Sequence, residues 1–243
     1  MLAVTVALVA GLVKGMVGFA MPMIMISGMS SFLSPELALA GLILPTFVTN
    51  ALQAMRQGPR AAWESLKRFR LFLGVGLVFL LLSSQLVTVL SSKLLLALIG
   101  GPVTLFCLMQ LLGWKPRLRN GPSARVEAAL GAVAGFLGGV SGVWGPPFVA
   151  YLTAINTEKR EQMRVQGVAY GLGAVSLTGA HMVSGVFNAQ TAWFSAALLV
   201  PAVIAMWLGG KIHNRIDQVL FRKLTLLVLL IAGLNLLRRA FFV

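Results

Sequence analysis

Apolar residues along this chain fall in long runs, with neither the alternation of a half-buried strand nor the three-to-four spacing of a water-facing helix. The runs Leu71–Leu90, Leu94–Leu112 and Ala192–Leu208 each approach the roughly 20 residues that cross a hydrocarbon core. Leu37–Met55, Met163–Val186 and Val219–Leu237 are of similar length. The pattern predicts an all-α polytopic membrane protein. It is interrupted most strongly at "KPRLRNGPSAR", Lys115 to Arg125, which is polar and rich in turn residues. That segment divides the chain into a first transmembrane repeat, 1–114, a basic cytoplasmic linker, 115–125, and a second transmembrane repeat, 126–243.

Each half opens on an apolar run broken by glycine and proline. The first reads "KGMVGFAMP", Lys14 to Pro22, and the second "GGVSGVWGPP", Gly138 to Pro147. Gly15, Gly18 and Pro22 align with Gly139, Gly142 and Pro146 at one constant offset. Further on, Val89, Leu90, Lys93 and Leu94 align with Val219, Leu220, Lys223 and Leu224 at a slightly longer one. The shared order predicts an internal duplication.

A broken helix at membrane depth needs a reason, because lipid offers no partner to a free backbone N–H or C=O. The break creates a new helix N-terminus, whose open N–H groups and dipole favour an anion. Proline suits the first turn of the returning helix, where its missing N–H costs nothing. Glycine lets the chain turn and lets a ligand approach the backbone. The bland reading is helix packing, since pairs such as Gly135–Gly139 and Gly138–Gly142 also allow two helices to approach closely. Repetition of the glycine–proline coupling favours the site.

Composition changes little in this picture but narrows it. The chain is 58% hydrophobic and 11% charged, and its 20 basic against 6 acidic residues give a net charge of +14. The basic residues cluster between apolar runs, where they fix orientation and meet anionic headgroups, so the charge does not argue for nucleic acid. One basic loop holds Arg56, Arg60, Lys67, Arg68 and Arg70, and another Lys115, Arg117, Arg119 and Arg125. Both are expected to be cytoplasmic, as are the segment with Lys159, Arg160 and Arg164 and a loop with Lys211, Arg215, Arg222 and Lys223. On this assignment Val126–Ile155 begins and ends on one side and forms a re-entrant hairpin, and Leu2–Phe32 forms another. Hairpin plus three spans makes the two repeats inverted. The alternative is 4+4 spanning helices, which Arg238 and Arg239 favour, because the inverted arrangement leaves them outside.

All six carboxylates, Glu36, Glu64, Glu127, Glu158, Glu161 and Asp217, fall at segment ends or in loops, which argues against a cation site or an acidic proton relay. Lys14 alone among the cations stands inside an apolar run, and an anionic substrate would be its partner. The alternatives are that it reaches to an interface or sits uncharged in a dry pocket. Ser141 and Trp144 lie within the second glycine turn, and Asn50 and Gln53 share the helix after the first hairpin. His181 is the candidate for proton coupling, with a structural role competing, and His213 reads as solvated in a basic loop. Cys107 is the single cysteine, so the sequence offers no disulfide, no cysteine metal cluster and no sign of a cofactor. One histidine, one cysteine and no carboxylate within the spans make an intramembrane enzyme hard to build.

The paired glycine-rich, proline-terminated turns in a duplicated chain of this length, with "NTEKREQMR" after the second, resemble the TauE/SafE family of sulfite exporter-like permeases. The resemblance implies transport of small sulfur-containing anions, such as sulfite, sulfoacetate or related organosulfonates, across the bacterial inner membrane. It carries over to Gly15, Gly18 and Pro22 and to Gly139, Gly142 and Pro146. The expectation is a secondary transporter, an exporter, whose substrate sits between the two helix breaks near the bilayer midplane. Backbone amides there would act with Lys14, Asn50, Gln53, Ser141 and Trp144. A passive anion channel or a transporter of another small organic anion remains the alternative, and homo-oligomerisation is left open.

Overall fold

The computed structural model describes residues 1–29, 32–84, 92–113, 123–141, 145–183 and 185–242. Every regular element among them is an α-helix. In chain order these are α1 (Leu2–Val17), α2 (Met21–Met29), α3 (Pro35–Met55), α4 (Pro59–Arg68), α5 (Arg70–Ser84) and α6 (Ser92–Leu111). They continue with α7 (Ala124–Ser141), α8 (Gly145–Ala154), α9 (Lys159–Val183), α10 (Ala189–Arg215) and α11 (Gln218–Phe242). Three stretches among the described residues are long and apolar enough to cross a membrane: Leu37–Met55, Ala189–Arg215 and Gln218–Phe241. Hydropathy therefore gave the class correctly. The end of the run Leu71–Leu90 and most of the linker 115–125 lie outside the described residues.

Two regions read as loops from their charge are helical. The first basic loop contains α4, which Pro59 opens at a position where a missing N–H is harmless. It buries Ala62 and Ser65 and exposes Arg60, Trp63, Glu64 and Lys67, so it is amphipathic. The basic loop with Lys211, Arg215, Arg222 and Lys223 shrinks to Ile216 and Asp217, since Lys211 and Arg215 belong to α10 and Arg222 and Lys223 to α11. Charge marks where a span leaves the lipid, not where the helix stops, and both helices continue past that point.

The chain forms two compact units, Met1–Ser65 with Met163–Phe221, and Leu66–Gln162 with Arg222–Val243. Each draws on both sequence halves. In the first unit the opening helix α1 packs on α10, and in the second the opening helix α7 packs on α5.

Small residues make the α1–α10 crossing close. A Cβ added to Gly15 would lie 2.9 Å from the Gly209 Cα, and one on Gly11 would lie 3.1 Å from the Ala202 Cα. α2 folds back along α1, which brings Gly28 against Val6. This return lines up Met21, Met25 and Met29, one helical turn apart, with Ala7, Ala10, Ala38, Leu42, Leu198 and Ala202 in one buried cluster. Unbranched methionines fill the irregular space that the alanines leave. In the second unit α7 meets α5 in the same manner, with Gly135 against Gly76 and Gly131 against Phe72. The Phe72 ring stacks on Tyr151 of α8 at 5.1 Å and 4°.

Pro45 lies inside α3 and cannot donate to the carbonyl of Gly41 one turn back. Ser195 of α10 repairs the gap. Its hydroxyl donates to Gly41 O (3.2 Å) and accepts from Leu44 N (3.0 Å), and Ser195 is fully buried. Ser195→Ala should therefore cost about 1–3 kcal/mol by orphaning that carbonyl. In the Pro45→Ala background, where α3 supplies its own N–H, the same change should cost much less. Chemical unfolding of the four proteins in detergent checks this, and equal costs in both backgrounds would refute the pairing.

Candidate functional site

The first glycine motif breaks the helix where its composition predicted. α1 ends on Gly18, whose backbone is left-handed (φ 87°) and whose N–H closes on Lys14 O at 2.7 Å. Ala20 is also left-handed (φ 73°), which costs a residue with a Cβ on the order of 1–2 kcal/mol and stores strain at the turn. α2 then starts with Pro22 as its second residue.

Polar side chains from α3 and α9 converge on this break. Lys14 is 1% exposed, and its Nζ donates to Asn50 Oδ1. Asn50 in turn donates through Nδ2 to Tyr170 O (3.1 Å). Gln53 Nε2 donates to Gly18 O (3.0 Å) and to Met163 O (2.7 Å). Gln166, fully buried with its amide nitrogen toward the turn, donates to Val17 O (3.1 Å) and Gly18 O (3.2 Å). These amides satisfy carbonyls that the end of α1 would otherwise leave open. Close crossing of α3 and α9 at Gly167, where an added Cβ would lie 2.8 Å from the Gln53 carbonyl carbon, brings the two polar faces together.

The electrostatics centre on Lys14. Burying an ammonium costs several kcal/mol unless a partner compensates. Its position in the last turn of α1, the negative end of the helix dipole, returns part of that cost. Its acceptor, Asn50 Oδ1, is neutral. Gln53 Oε1 is buried with no hydrogen-bond partner among the described residues. No group of three or more metal-binding side chains occurs among the described residues. The arrangement is a buried lysine amine set among neutral amides.

Lys14, Gly18, Asn50 and Gln53 are thus brought together. Gly15 faces the other way, and the space it leaves is taken up by α10. In the second motif Gly139 and Ser141 fall in α7, Pro146 is the second residue of α8, and Gly142 and Trp144 lie outside the described residues. His181 is in the last turn of α9, three turns beyond Tyr170 and so about 16 Å along the helix from this cluster.

Two positions differ from expectation. The first break faces Gln53, near the end of α3, and Met163, near the start of α9, so it lies level with the basic ends of these helices and not their middles. His213 is 2% exposed, not solvated. α10 runs on past it and turns its ring to the tip of the break, with Nδ1 3.2 Å from Met16 O and Phe221 edge-on at 5.2 Å. Gln166 and Tyr170 had no place in the expected site. Their signal was present as a polar stripe, Gln162, Gln166 and Tyr170 at four-residue spacing on one face of α9.

The family described as sulfite exporter TauE/SafE matches residues 3–236, nearly the whole of the 243-residue chain. No match was found among curated proteins or among solved structures. A match of that extent, on a helical membrane fold whose first opening helix breaks at the expected glycine, means that the chain belongs to the TauE/SafE family of sulfite exporter-like membrane transporters.

Proposed function

We propose that the protein is a secondary transporter, working as an exporter in a bacterial inner membrane, for a small sulfur-containing anion such as sulfite or an organosulfonate. The observation that carries this reading is Lys14, a buried ammonium whose hydrogen bond goes to a neutral amide at a helix break. A substrate oxyanion completes its charge balance, while Asn50, Gln53 and Gln166 keep the surrounding backbone in place. The basic residues at the same ends of α3, α9 and α10 make this the cytoplasmic end, where an exporter collects its substrate. In this reading α1–α2 is a re-entrant hairpin and α7–α8 its inverted counterpart. The reciprocal pairing of α1 with α10 and α7 with α5 supports the duplication. Gly139, Ser141, Gly142, Trp144 and Pro146 of the second motif are the counterpart residues for the substrate, and His181 is the candidate for proton coupling.

Counterflow in proteoliposomes tests the proposal. Vesicles loaded with unlabelled sulfite, sulfoacetate, taurine, sulfate, lactate or phosphate are given a trace of labelled sulfite outside. A carrier accumulates label transiently and saturably when the internal anion is a substrate. Uptake that neither saturates nor exchanges would identify a channel, and no uptake with any anion would sink the transport reading.

A further inference from the structure

Arg222, which its charge alone assigned to a loop, lies in the second turn of α11 in the second unit and is only partly exposed. Its Nη2 donates to Gln110 Oε1 near the end of α6 (2.6 Å), and its Nη1 donates to Asn156 Oδ1 just after α8 (3.3 Å). Asn156 is held in the left-handed region (φ 55°) by the turn that ends α8, where Thr157 N donates to Leu152 O at 3.0 Å. Among the described residues, both acceptors of the guanidinium are neutral amide oxygens.

The Gln110 amide has only one orientation open to it, because a guanidinium can donate but not accept. Its oxygen must face Arg222, so its nitrogen, with two N–H groups, faces elsewhere. Gln110 is 6% exposed, and Nε2 is buried with no hydrogen-bond partner among the described residues. One turn further along the same face of α11, Thr225 is fully buried and its hydroxyl likewise has none. An arginine that only anchored the helix end at an interface would not account for a buried amide left open beside it. Positive charge and unused donors gathered at one place are what a planar or tetrahedral oxyanion takes up.

We infer that Arg222, with Gln110 Nε2, forms an oxyanion-binding site in the second unit, distinct in its residues from Lys14 and independent of the transport reading. The ligand is a single phosphate- or sulfate-like group, either free in solution or carried on an anionic lipid headgroup. Arg222 supplies the charge and a fork of N–H donors, Gln110 a second pair, and Asn156 holds the guanidinium in place.

The full chain, purified in detergent, is titrated with inorganic phosphate at constant ionic strength while its melting temperature is followed. A ligand that binds the folded form raises that temperature by mass action. Arg222→Gln should raise the half-saturating concentration at least about tenfold, the loss expected for a charge-assisted hydrogen bond. Gln110→Leu, which keeps the guanidinium, should raise it several-fold and serves if Arg222→Gln does not fold. In a second arm, phosphatidylglycerol retained from vesicles is counted by native mass spectrometry. Arg222-dependent retention without a phosphate shift assigns the site to a headgroup, and a phosphate shift assigns it to a free anion. If neither phosphate nor lipid binding responds to Arg222→Gln or Gln110→Leu, the inference is overturned. A phosphate shift lost in Lys14→Met but kept in Arg222→Gln would place that anion in the first unit and overturn it equally.

Discussion

Lys14→Met should weaken anion binding by about tenfold to a hundredfold while leaving the protein as stable as before, or more so. The binding loss follows from removing a charged donor, about 1.5–3 kcal/mol at a contact with an anion. The stability gain follows from burial. The ammonium is 1% exposed, its hydrogen bond goes to the neutral Asn50, and its removal relieves a desolvation cost of several kcal/mol. Against this stands Asn50 Oδ1, which loses its donor at about 1–3 kcal/mol. A residue kept for function at the expense of stability has this signature, and one kept for stability has the opposite. Unfolding and anion titration of the same sample decide between them. A variant that melts well below the parent yet binds sulfite as tightly would make Lys14 structural and remove it from the site.

Gly18→Ala should destabilise the fold by about 2–5 kcal/mol. Part of this is conformational, since φ is 87° and a Cβ costs about 1–2 kcal/mol there. The rest is crowding: the new methyl would run into the Gln166 amide and come within 2.6 Å of Met163 Sδ, and overpacking of that kind costs about 1–3 kcal/mol. Gly58 provides the control. Its φ is 88°, but an added Cβ would meet nothing within 4 Å, so Gly58→Ala should lose only the conformational part. Equal losses at the two glycines, read by chemical unfolding, would mean that α9 does not press on the turn. The expected difference also tests the site, because Gln166 and Met163 meet Gly18 only if the polar face of α9 lies against the end of α1.

Much of this was legible in the sequence. Long apolar runs reveal helices that cross lipid because partition is a property of a segment by itself. Gly18 and Pro22 mark a break for the same local reason: a left-handed turn favours a residue without a Cβ, and a helix start tolerates one without an N–H. Lys14, Asn50 and Gln53 could be nominated as polar groups in apolar surroundings, and they do converge. Gln166 stands in a polar stripe with Gln162 and Tyr170, but the sequence does not say what that stripe faces, since its role depends on which helix α9 crosses. Gly15 shows the opposite limit. It shares a motif with Gly18, yet one lies against α10 and the other closes the turn, and only their neighbours distinguish them.

By itself the sequence determined the class of the protein, the place where its first helix breaks and the chemical character of the residues beside that break. These depend on the preferences of a segment for lipid, of a backbone angle for glycine and of a charge for a partner. The tertiary structure alone decided how deep the first break lies, that His213 is buried against it, that α1 pairs with α10 and α7 with α5, and that Arg222 faces two neutral amides. Each of these joins residues far apart in the chain, and the energy of such a contact comes from surfaces that no single segment contains.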